Sequence, residues 1–380
     1  MKILLVGEYS RLHNSLKEGL IELGHDVVLV GNGDTFKKYP VDIDIDNAFS
    51  KTYIPSLLRK LFLKLFQTDL ADYETIYKFK KALPELRNFD VVQLINEDAL
   101  SIKPKFQLKL LKTLFKQNKN SFLLCCGQDY VSITYALNNK LKYSILTPYL
   151  KDSTLKKKYH FSLKYISTSY HDLHKFLKNT IKGVIATDID YHIPYKEQSN
   201  YLRLIPNPIN LHKITYHPIH ITDKIKIFHG VNTSSSIQKG NIYFEKALDI
   251  ISQKYPDKVD IITTHSIPYQ AYIKCYDECH ILLDQVYAYD QGYNALEAMA
   301  KGKVVFTGAE QEWLDYYNLE ADTVAINALP NAEHIAKKLE WLILNPQKIM
   351  EISENARAFI EKEHNYKKIA QTYLNTWMKN

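Results

Sequence analysis

The chain has 380 residues, of which 46% are hydrophobic, and it carries a formal net charge of +7. A chain of this length can bury two hydrophobic cores, and its apolar content excludes an intrinsically disordered protein. The sequence contains no long apolar window and no signal-peptide pattern, so we expect neither a membrane span nor export. Its four cysteines are too few for a disulfide framework and are typical of free thiols in a reducing cytoplasm.

The positive charge is concentrated in the first half of the chain. Residues 1–205 contain 31 Lys and Arg against 21 Asp and Glu, a net charge of +10, whereas residues 206–380 contain 18 against 21, a net charge of −3. This asymmetry favours an anionic partner for the first half, either a membrane surface or an anionic acceptor.

The first half alternates apolar runs with amphipathic helices. Residues 2–7 predict a strand, Leu16, Leu20 and Leu23 share one face of a helix that stops at Gly24, and a second strand follows. This unit has the size of a parallel crossover, and its repetition favours an open parallel sheet. The further elements predicted here are strands over 27–30, 89–95, 122–126, 163–167, 183–186 and 201–205, and a helix over 104–117.

Pro206 and Pro208 interrupt this pattern, and we place a domain boundary near residues 206–222. The same alternation then restarts, with strands predicted over 224–229, 259–263, 280–284 and 303–306 and helices over 241–254, 268–278 and 292–301. From about Asn331 the chain is predicted to be helical. Two parallel sheets joined by a linker predict a cleft, with ligands outside the carboxyl ends of the strands.

The most informative segment is residues 290–306, in which Gly292 precedes a predicted helix and Gly302 ends it. A helix start offers free N–H groups and partial positive charge, which suit a diphosphate. Glu297 lies one turn further along, where a carboxylate can accept hydrogen bonds from a ribose diol. An ordinary helix between two strands, with Glu297 in solvent, explains the pattern equally well.

Several motifs resemble those of the retaining, family-4-type (group 1) GT-B glycosyltransferases. LEAMAKGKVVF (296–306) is similar to the second part of the family's glutamate signature, E-G-F-G-x-x-x-x-E-A-M-A-x-G-x-P-V-V. The resemblance covers nearly the whole chain and is weak over residues 31–160. Its other motifs are LKEGLIELGHDVVLV (16–30), LIPNPIN (204–210), QKG (238–240) and ENARAFIEKEHNYKKIAQTYLNTW (354–377).

The resemblance implies roles for the matched positions. Glu297 would bind the ribose of the nucleotide, and Lys239 would neutralise the diphosphate and stabilise the leaving nucleotide. Gly292 and the amides of Tyr293 and Asn294 would face the diphosphate or the sugar. A Lys-Gly pair alone is a weak signal, since a solvated lysine in a turn gives the same pattern.

The chain departs from the family at two of these positions. The first glutamate of the signature, which contacts the donor sugar, falls at Tyr289, and the neighbouring Asp290 is out of register by one residue. The family's arginine before the lysine falls at Ser234. These departures put the identity of the donor in doubt.

Three further residues are candidates on position alone. His229 ends a predicted strand and could touch donor or acceptor, although such a histidine is more often structural. Gly7 follows the first strand in a loop expected to face the cleft. Asp129, in a Gly-x-Asp turn, is a candidate for binding sugar hydroxyls, although capping the next helix is the commoner use of such an aspartate.

Two basic segments suggest contact with an anionic membrane surface. Leu57–Phe66 interleaves basic residues with more apolar residues than one core-facing stripe needs, and Lys105–Lys116 carries four lysines along one helix face. A solvated lysine face on a helix that packs on the core explains the second segment equally well.

Other chemistries are not supported. Asp42, Asp44 and Asp46 form a D-x-D string far from the donor segment, so we read them as a strand edge and expect no metal cofactor. The sequence has no G-x-G-x-x-G, P-loop or G-x-S-x-G motif, which argues against dehydrogenases, P-loop nucleotide hydrolases and α/β-hydrolases. No motif supports nucleic-acid binding.

We therefore predict a GT-B fold with two Rossmann-like domains, residues 1–205 for the acceptor and 206–364 for the nucleotide-sugar, and a last helix near 365–380 that returns to the first domain. The expected reaction is glycosyl transfer from a nucleotide-diphosphate sugar to a hydroxyl acceptor in cell-surface polysaccharide or glycolipid assembly, at the inner face of the membrane. A nucleotide-sugar epimerase of the same fold and a non-catalytic, membrane-associated protein of this fold are the alternatives.

Overall fold

The structure is a computed structural model that describes residues 1–34, 37–52, 59, 63 and 69–380. Within these residues the strands form two separate sheets, and every strand pair in them is parallel. The first sheet has the order β3-β2-β1-β4-β5-β6-β7. Its strands are β1 (Lys2–Val6), β2 (Asp26–Gly31), β3 (Ile43–Asp44), β4 (Val91–Leu94), β5 (Asn120–Cys125), β6 (Gly183–Ala186) and β7 (Tyr201–Leu204).

The second sheet has the order β12-β11-β10-β8-β9. Its strands are β8 (Ile225–Val231), β9 (Val259–His265), β10 (Ile281–Leu283), β11 (Val304–Thr307) and β12 (Ile326–Asn327). The predicted linker between the two sheets thus lies between Leu204 and Ile225, although the exact domain limits stay a prediction.

Helices connect successive strands of both sheets. Those of the first half are α1 (Leu12–Glu22), α2 (Leu70–Ala82), α3 (Pro104–Lys116), α4 (Tyr130–Leu137), α5 (Thr147–Lys151), α6 (His160–Leu163), α7 (Thr168–Thr180) and α8 (Ile189–Tyr195). Those of the second half are α9 (Ser236–Lys239), α10 (Asn241–Lys254), α11 (Tyr269–Glu278), α12 (Tyr293–Ala300), α13 (Gln311–Tyr317), α14 (Ala332–Leu344), α15 (Pro346–Glu363) and α16 (Tyr366–Lys379). Short 3₁₀ turns lie at Phe49–Lys51, Ser153–Lys157, Lys164–Ile166 and Leu211–Lys213.

Each sheet is the centre of its own hydrophobic core. All residues of the inner strands β4, β10 and β11 are buried, because helices cover the sheets on both faces. This explains why these strands read as continuous apolar runs rather than as an alternating pattern. The prediction of two α/β domains of the GT-B type is confirmed.

The last helix crosses back to the first domain, as predicted. Tyr373 and Trp377 of α16 belong to the core of the first sheet, and Trp377 Nε1 donates a hydrogen bond to Gln93 Oε1 at 3.0 Å. Gly19 of α1 lets the two helices meet closely, since a Cβ at this position would lie 2.6 Å from the carbonyl oxygen of Tyr366. The crossing helix therefore ties the end of the chain to its beginning.

One predicted strand is wrong. Residues 163–167 form the end of α6 and a 3₁₀ turn, and Tyr165 packs beside Tyr170 with ring centroids 5.0 Å apart. These tyrosines belong to a small core of their own, separate from the first sheet. A short apolar run is compatible with a strand or a helical turn, and tertiary packing decides between them.

The two basic segments differ in what the structure describes. The Leu57–Phe66 segment lies outside the described residues except for Arg59, which pairs with Asp69 at 2.6 Å, and Leu63. In α3 all four lysines from Lys105 to Lys116 are exposed, while Leu111 and Leu114 on the other side are buried. Across the described part of the chain, no helix has the length and apolar character needed to cross a membrane.

Candidate functional site

A cavity of about 700 Å³ opens at the carboxyl ends of the second sheet, and we call it the sheet-edge cavity. Five of the predicted site residues line it together: Lys239, Gly292, Tyr293, Asn294 and Glu297. The first domain closes one side of it. Its remaining lining residues are Ser10, Lys37, Tyr39, Gly230, Val231, Asn232, Ser235, Thr264, Ser266, Ile267, Pro268, Tyr272, Ile273, Tyr276, Asp284 and Gln285.

The start of α12 faces this cavity. Gly292 precedes the first helical residue in an extended conformation, and no side chain caps the helix there. A Cβ at Gly292 would meet nothing closer than Gln285 Nε2 at 3.9 Å, so the space above the glycine is open. The first amides of α12 are therefore available to an anionic ligand.

Asp284 organises the polar side of the cavity. Its buried Oδ1 accepts hydrogen bonds from Lys239 Nζ at 3.0 Å and from Asn294 Nδ2 at 2.9 Å. Thr307 Oγ1 lies 3.4 Å from the other carboxylate oxygen. Sequence reasoning did not single out Asp284, although an acidic residue at the end of the buried run of β10 was the available signal. By accepting from both side chains, Asp284 holds Lys239 next to the start of α12.

The Lys-Gly turn is built to hold Lys239 beside β10. Gly240 adopts a left-handed conformation, with φ of 71°, and the Lys239 carbonyl accepts a hydrogen bond from Val286 N at 2.8 Å. A Cβ at Gly240 would lie 2.9 Å from Val286 Cβ, so only glycine fits without a shift. The turn therefore fixes the lysine backbone against the neighbouring strand.

Glu297 is half-buried in the second turn of α12. Burial raises the pKa of its carboxyl group, and the positive charges of Arg11, Lys301 and Lys37 act in the opposite direction. Two of these three cations, Arg11 and Lys37, come from the first domain. The Glu297 carboxyl group, a hydrogen-bond acceptor, thus lies close to residues of the first domain.

Two tyrosines form the aromatic wall of the cavity. Tyr272 donates a hydrogen bond from its hydroxyl to Asn294 Oδ1 at 2.9 Å, and Tyr276 donates to the Asn294 carbonyl at 2.7 Å. Gly230 makes room for this wall, because a Cβ there would lie 2.5 Å from the Tyr272 ring. Among 28 scattered tyrosines, sequence reasoning had no means of selecting these two.

The first domain contributes a cation to the same cavity. Lys37 Nζ lies 2.9 Å from Asp34 Oδ2 and 3.0 Å from Ser10 Oγ. Ser234, where the family has arginine, is exposed, and its amide donates to Asn232 Oδ1 at 3.1 Å. Lys37 therefore lines the same cavity as Lys239, although nothing in its sequence context predicted this.

Tyr289 and Asp290 do not line the sheet-edge cavity. Tyr289 is buried at the contact between the domains, where its hydroxyl accepts a hydrogen bond from Lys142 N at 2.8 Å. Asp290 is also buried there, and its Oδ2 accepts from Ile189 N at 3.0 Å. The loop after β10 carries both residues towards the first domain. Their side chains therefore do not share a cavity with Lys239 and Glu297.

The structure also places His229, Asp129 and Gly7 away from this cavity. The His229 ring is fully buried against Phe244, and burial lowers the pKa of its imidazole to about 4. Asp129 caps α4 by accepting from Ser132 N at 2.7 Å. Gly7 has a φ of 86° and packs on Ile95, where a Cβ would be 2.3 Å from Cγ2. These positions are explained by packing and helix capping.

Glu8, which follows Gly7, is a buried carboxyl group of the first domain. Asn14 donates to Glu8 Oε2 from its backbone N at 2.8 Å and from Nδ2 at 2.6 Å, whereas Oε1 has no partner. Burial, which outweighs these bonds, raises the pKa of Glu8 from 4.5 to about 8. The folded protein therefore holds this proton more tightly than the unfolded chain does.

We expect Glu8→Gln to stabilise the protein at pH 8 and to have little effect at pH 5. The folded pKa of Glu8 is raised, so its contribution to stability falls as pH rises from about 4.5 to about 8. Glutamine cannot ionise and so removes this loss, which amounts to about 4 kcal/mol at pH 8. Denaturant unfolding at the two pH values measures the difference. An equal change in stability at pH 5 and at pH 8 would show that Glu8 does not ionise between these two pH values.

The fold and the family comparison agree on the class of the protein. Residues 237–375 match the family model described as glycosyl transferase-like, and the fold is that of the GT-B glycosyltransferases. The matched range includes Lys239, the whole of α12 and most of α16. This part of the chain is thus similar to glycosyl transferase-like domains, and no curated protein sequence matches the chain.

Solved structures share this fold over the full chain at low sequence identity. A sucrose-phosphate synthase from Thermosynechococcus elongatus superposes with a TM-score of 0.62 and 13% identity, over 100% of this chain and 99% of that chain. HepE from Anabaena, in complex with UDP-glucose, gives 0.60 and 13% over 100% of both chains. A TarM variant from S. aureus, bound to fondaparinux, alpha-GlcNAc-glycerol and UDP, gives 0.61 and 11% over 99% of both.

Proposed function

We propose that this protein transfers a glycosyl group from a nucleotide-diphosphate sugar, bound in the sheet-edge cavity, to a hydroxyl acceptor. The observation that carries the proposal is the convergence of Lys239, the open start of α12 and Glu297 on one cavity between two parallel sheets. A cation, free amides and a carboxylate match the diphosphate and the ribose of such a donor.

Lys239 and Lys37 supply the positive charge for the leaving diphosphate. As the glycosidic bond to the diphosphate breaks, negative charge grows on the phosphate oxygens, and two fixed cations and the amides of α12 stabilise it. Because protein groups provide this charge, we propose that no metal cofactor is required. Transfer is then expected to persist in the presence of a chelator.

Glu297 and the aromatic wall account for the nucleoside. The Glu297 carboxylate accepts hydrogen bonds from the ribose diol, and Tyr272, which lines the same cavity, offers a ring face to the base. HepE and TarM have been solved with UDP-glucose and with UDP, which makes uridine nucleotides the first choice for this chain. Retention at the anomeric carbon is proposed from the resemblance to the retaining family.

A panel of UDP-, GDP- and ADP-sugars, screened for thermal stabilisation, tests the proposal. A donor present at 100 times its Kd adds about 2.7 kcal/mol to the free energy of unfolding. UMP is the control, since it lacks the second phosphate that Lys239 and the start of α12 contact. If no nucleotide-diphosphate sugar stabilises the protein more than UMP does, the proposed donor site is wrong.

The basic first domain supports a location at the inner face of a membrane, with a lipid-linked saccharide as one form of the acceptor. The exposed lysines of α3 are joined by exposed Lys175 and Lys178 of α7, whose Phe176 stacks on Phe115 of α3 with centroids 6.0 Å apart. We expect co-sedimentation with anionic vesicles at low salt and release at high salt, because the Debye length shortens. Equal pelleting with neutral vesicles contradicts the electrostatic contact.

A further inference from the structure

A second cavity, of about 270 Å³, lies between the two domains, and we call it the junction cavity. It shares Ser10, Gln285, Gly292 and Tyr293 with the sheet-edge cavity, so the two adjoin above the start of α12. Under the proposed function, the reacting end of the donor would lie at this boundary. A ligand group in the junction cavity is therefore next to the transferred sugar.

Three aspartates from both domains line the junction cavity: Asp290 is buried, and Asp188 and Asp190 are half-buried. Asp190 Oδ2 accepts hydrogen bonds from Tyr289 N at 3.0 Å and from Asp290 N at 3.1 Å across the domain contact. Asp290 accepts from Ile189 N in return, and Asp188 caps α8 through Tyr191 N at 3.2 Å. These bonds fix all three side chains in the lining of the junction cavity.

Two amide oxygens in the same cavity lack hydrogen-bond partners. Gln291 is 1% exposed, and its Nε2 donates to the Gly308 carbonyl at 2.7 Å, which leaves Oε1 without a donor. Asn207, from the linker, is 5% exposed, and its Oδ1 is likewise unpaired. Buried acceptors without partners are costly, so they indicate a ligand that brings hydrogen-bond donors.

The aspartates also lack a positive partner. None of the ion pairs in the described part of the chain involves Asp188, Asp190 or Asp290. Burial, followed by the charge of Asp290, raises the pKa of Asp190 to about 7, and burial raises that of Asp290 to about 6. Burial and the charges of Asp190 and Asp290 raise the pKa of Asp188 well above its usual range, so the negative charge that remains near neutral pH lies on Asp290 and Asp190. The described residues place no set of side chains here, or elsewhere, that could hold a metal ion.

We propose that the junction cavity binds the ammonium group of an amino-bearing saccharide, through Asp188, Asp190 and Asp290 with the oxygens of Gln291 and Asn207. An ammonium group supplies three donors and the missing positive charge at once, which a neutral sugar hydroxyl does not. This inference rests on the proposed function, because it assumes that the adjoining cavity holds the nucleotide.

Calorimetry of the full chain with saturating UDP tests the inference on three probes: methyl glucosaminide, methyl N-acetylglucosaminide and methyl glucoside. We expect the free amine to bind roughly tenfold more tightly than either neutral probe, as a charge-assisted hydrogen bond implies. A second arm compares UDP-glucosamine with UDP-glucose, and a preference in this arm alone assigns the amine to the donor sugar. The inference is overturned if neither arm shows a preference for the amine.

The matched variants are Asp190→Asn and Asp152→Asn. Asparagine keeps a side-chain oxygen that can accept from the amides of Tyr289 and Asp290, so the first variant removes carboxylate charge, and we expect the preference for the amine to fall to roughly threefold or less. Asp152 is an exposed cap of the Ser153–Lys157 turn, and its variant should keep the preference. If Asp190→Asn is unfolded, Asp290→Asn replaces it. A preference that survives the loss of either carboxylate overturns the inference.

The outcome for the nucleotide separates this inference from the proposed function. UDP that does not bind at all contradicts the donor site itself. UDP that binds normally, together with no selectivity for the amine, contradicts only the ammonium site.

Discussion

Lys239→Ala is expected to lower kcat for glycosyl transfer by about 10²–10³, with a smaller effect on nucleotide affinity. The lysine neutralises charge that develops on the diphosphate as the bond to the sugar breaks, so its contribution is larger in the transition state than in the bound donor. Steady-state kinetics with the donor identified in the nucleotide panel measure kcat and KM separately. A raised KM with an unchanged kcat would instead indicate that Lys239 binds the donor equally well in the ground state and the transition state.

Lys246→Ala is the matched control for this variant. Lys246 is exposed on α10, seven residues further along the chain, and it does not line the sheet-edge cavity. Thermal unfolding of Lys239→Ala tests whether Lys239 has a structural role as the partner of Asp284. A large fall in stability with unchanged kcat per folded molecule would contradict the catalytic role.

The fold could be predicted well where local pattern and tertiary packing agree. The helix predicted over residues 241–254 and the buried strands of the second sheet follow from periodicity, because both faces of that sheet are covered. Residues 163–167 could not be predicted in this way, since their tyrosines pack into a local core that the sequence pattern does not encode. Periodicity reports which residues are buried, but not which core receives them.

The candidate site shows the same division. Glu297, Gly292 and Lys239 could be found because they lie in motifs with fixed spacing, and the structure gathers them in one cavity. Lys37 and Asp284 could not be found, because each acquires its place only when distant segments come together. A role that depends on contact between distant segments produces no fixed residue spacing in the sequence, so no motif can predict it.

The departures from the family acquire a physical explanation in this arrangement. The arginine missing at Ser234 has a counterpart in Lys37, which brings positive charge from the opposite side of the same cavity. Tyr289, in place of the first glutamate, packs on Tyr143 with centroids 5.5 Å apart and binds Lys142 N, so this position serves the domain contact. The carboxylates near the sugar then come from Asp190 and Asp290, one from each domain.

Glu297→Gln is expected to weaken nucleotide binding by about 10–100-fold, because two hydrogen bonds from the ribose hydroxyls to a charged acceptor become bonds to a neutral amide. Calorimetric titration with UDP measures the loss. Glu245→Gln is the control, since Glu245 lies on α10 and does not line the sheet-edge cavity.

A ribose-modified ligand makes this test specific. UDP that lacks the 2′-hydroxyl and 3′-hydroxyl groups should bind the natural protein as weakly as UDP binds the variant, and the Glu297→Gln change should then cost little more. Such non-additivity follows only if the carboxylate and the diol contact each other. If the two losses add in full, Glu297 acts on the nucleotide by another route, such as its charge near Arg11 and Lys37.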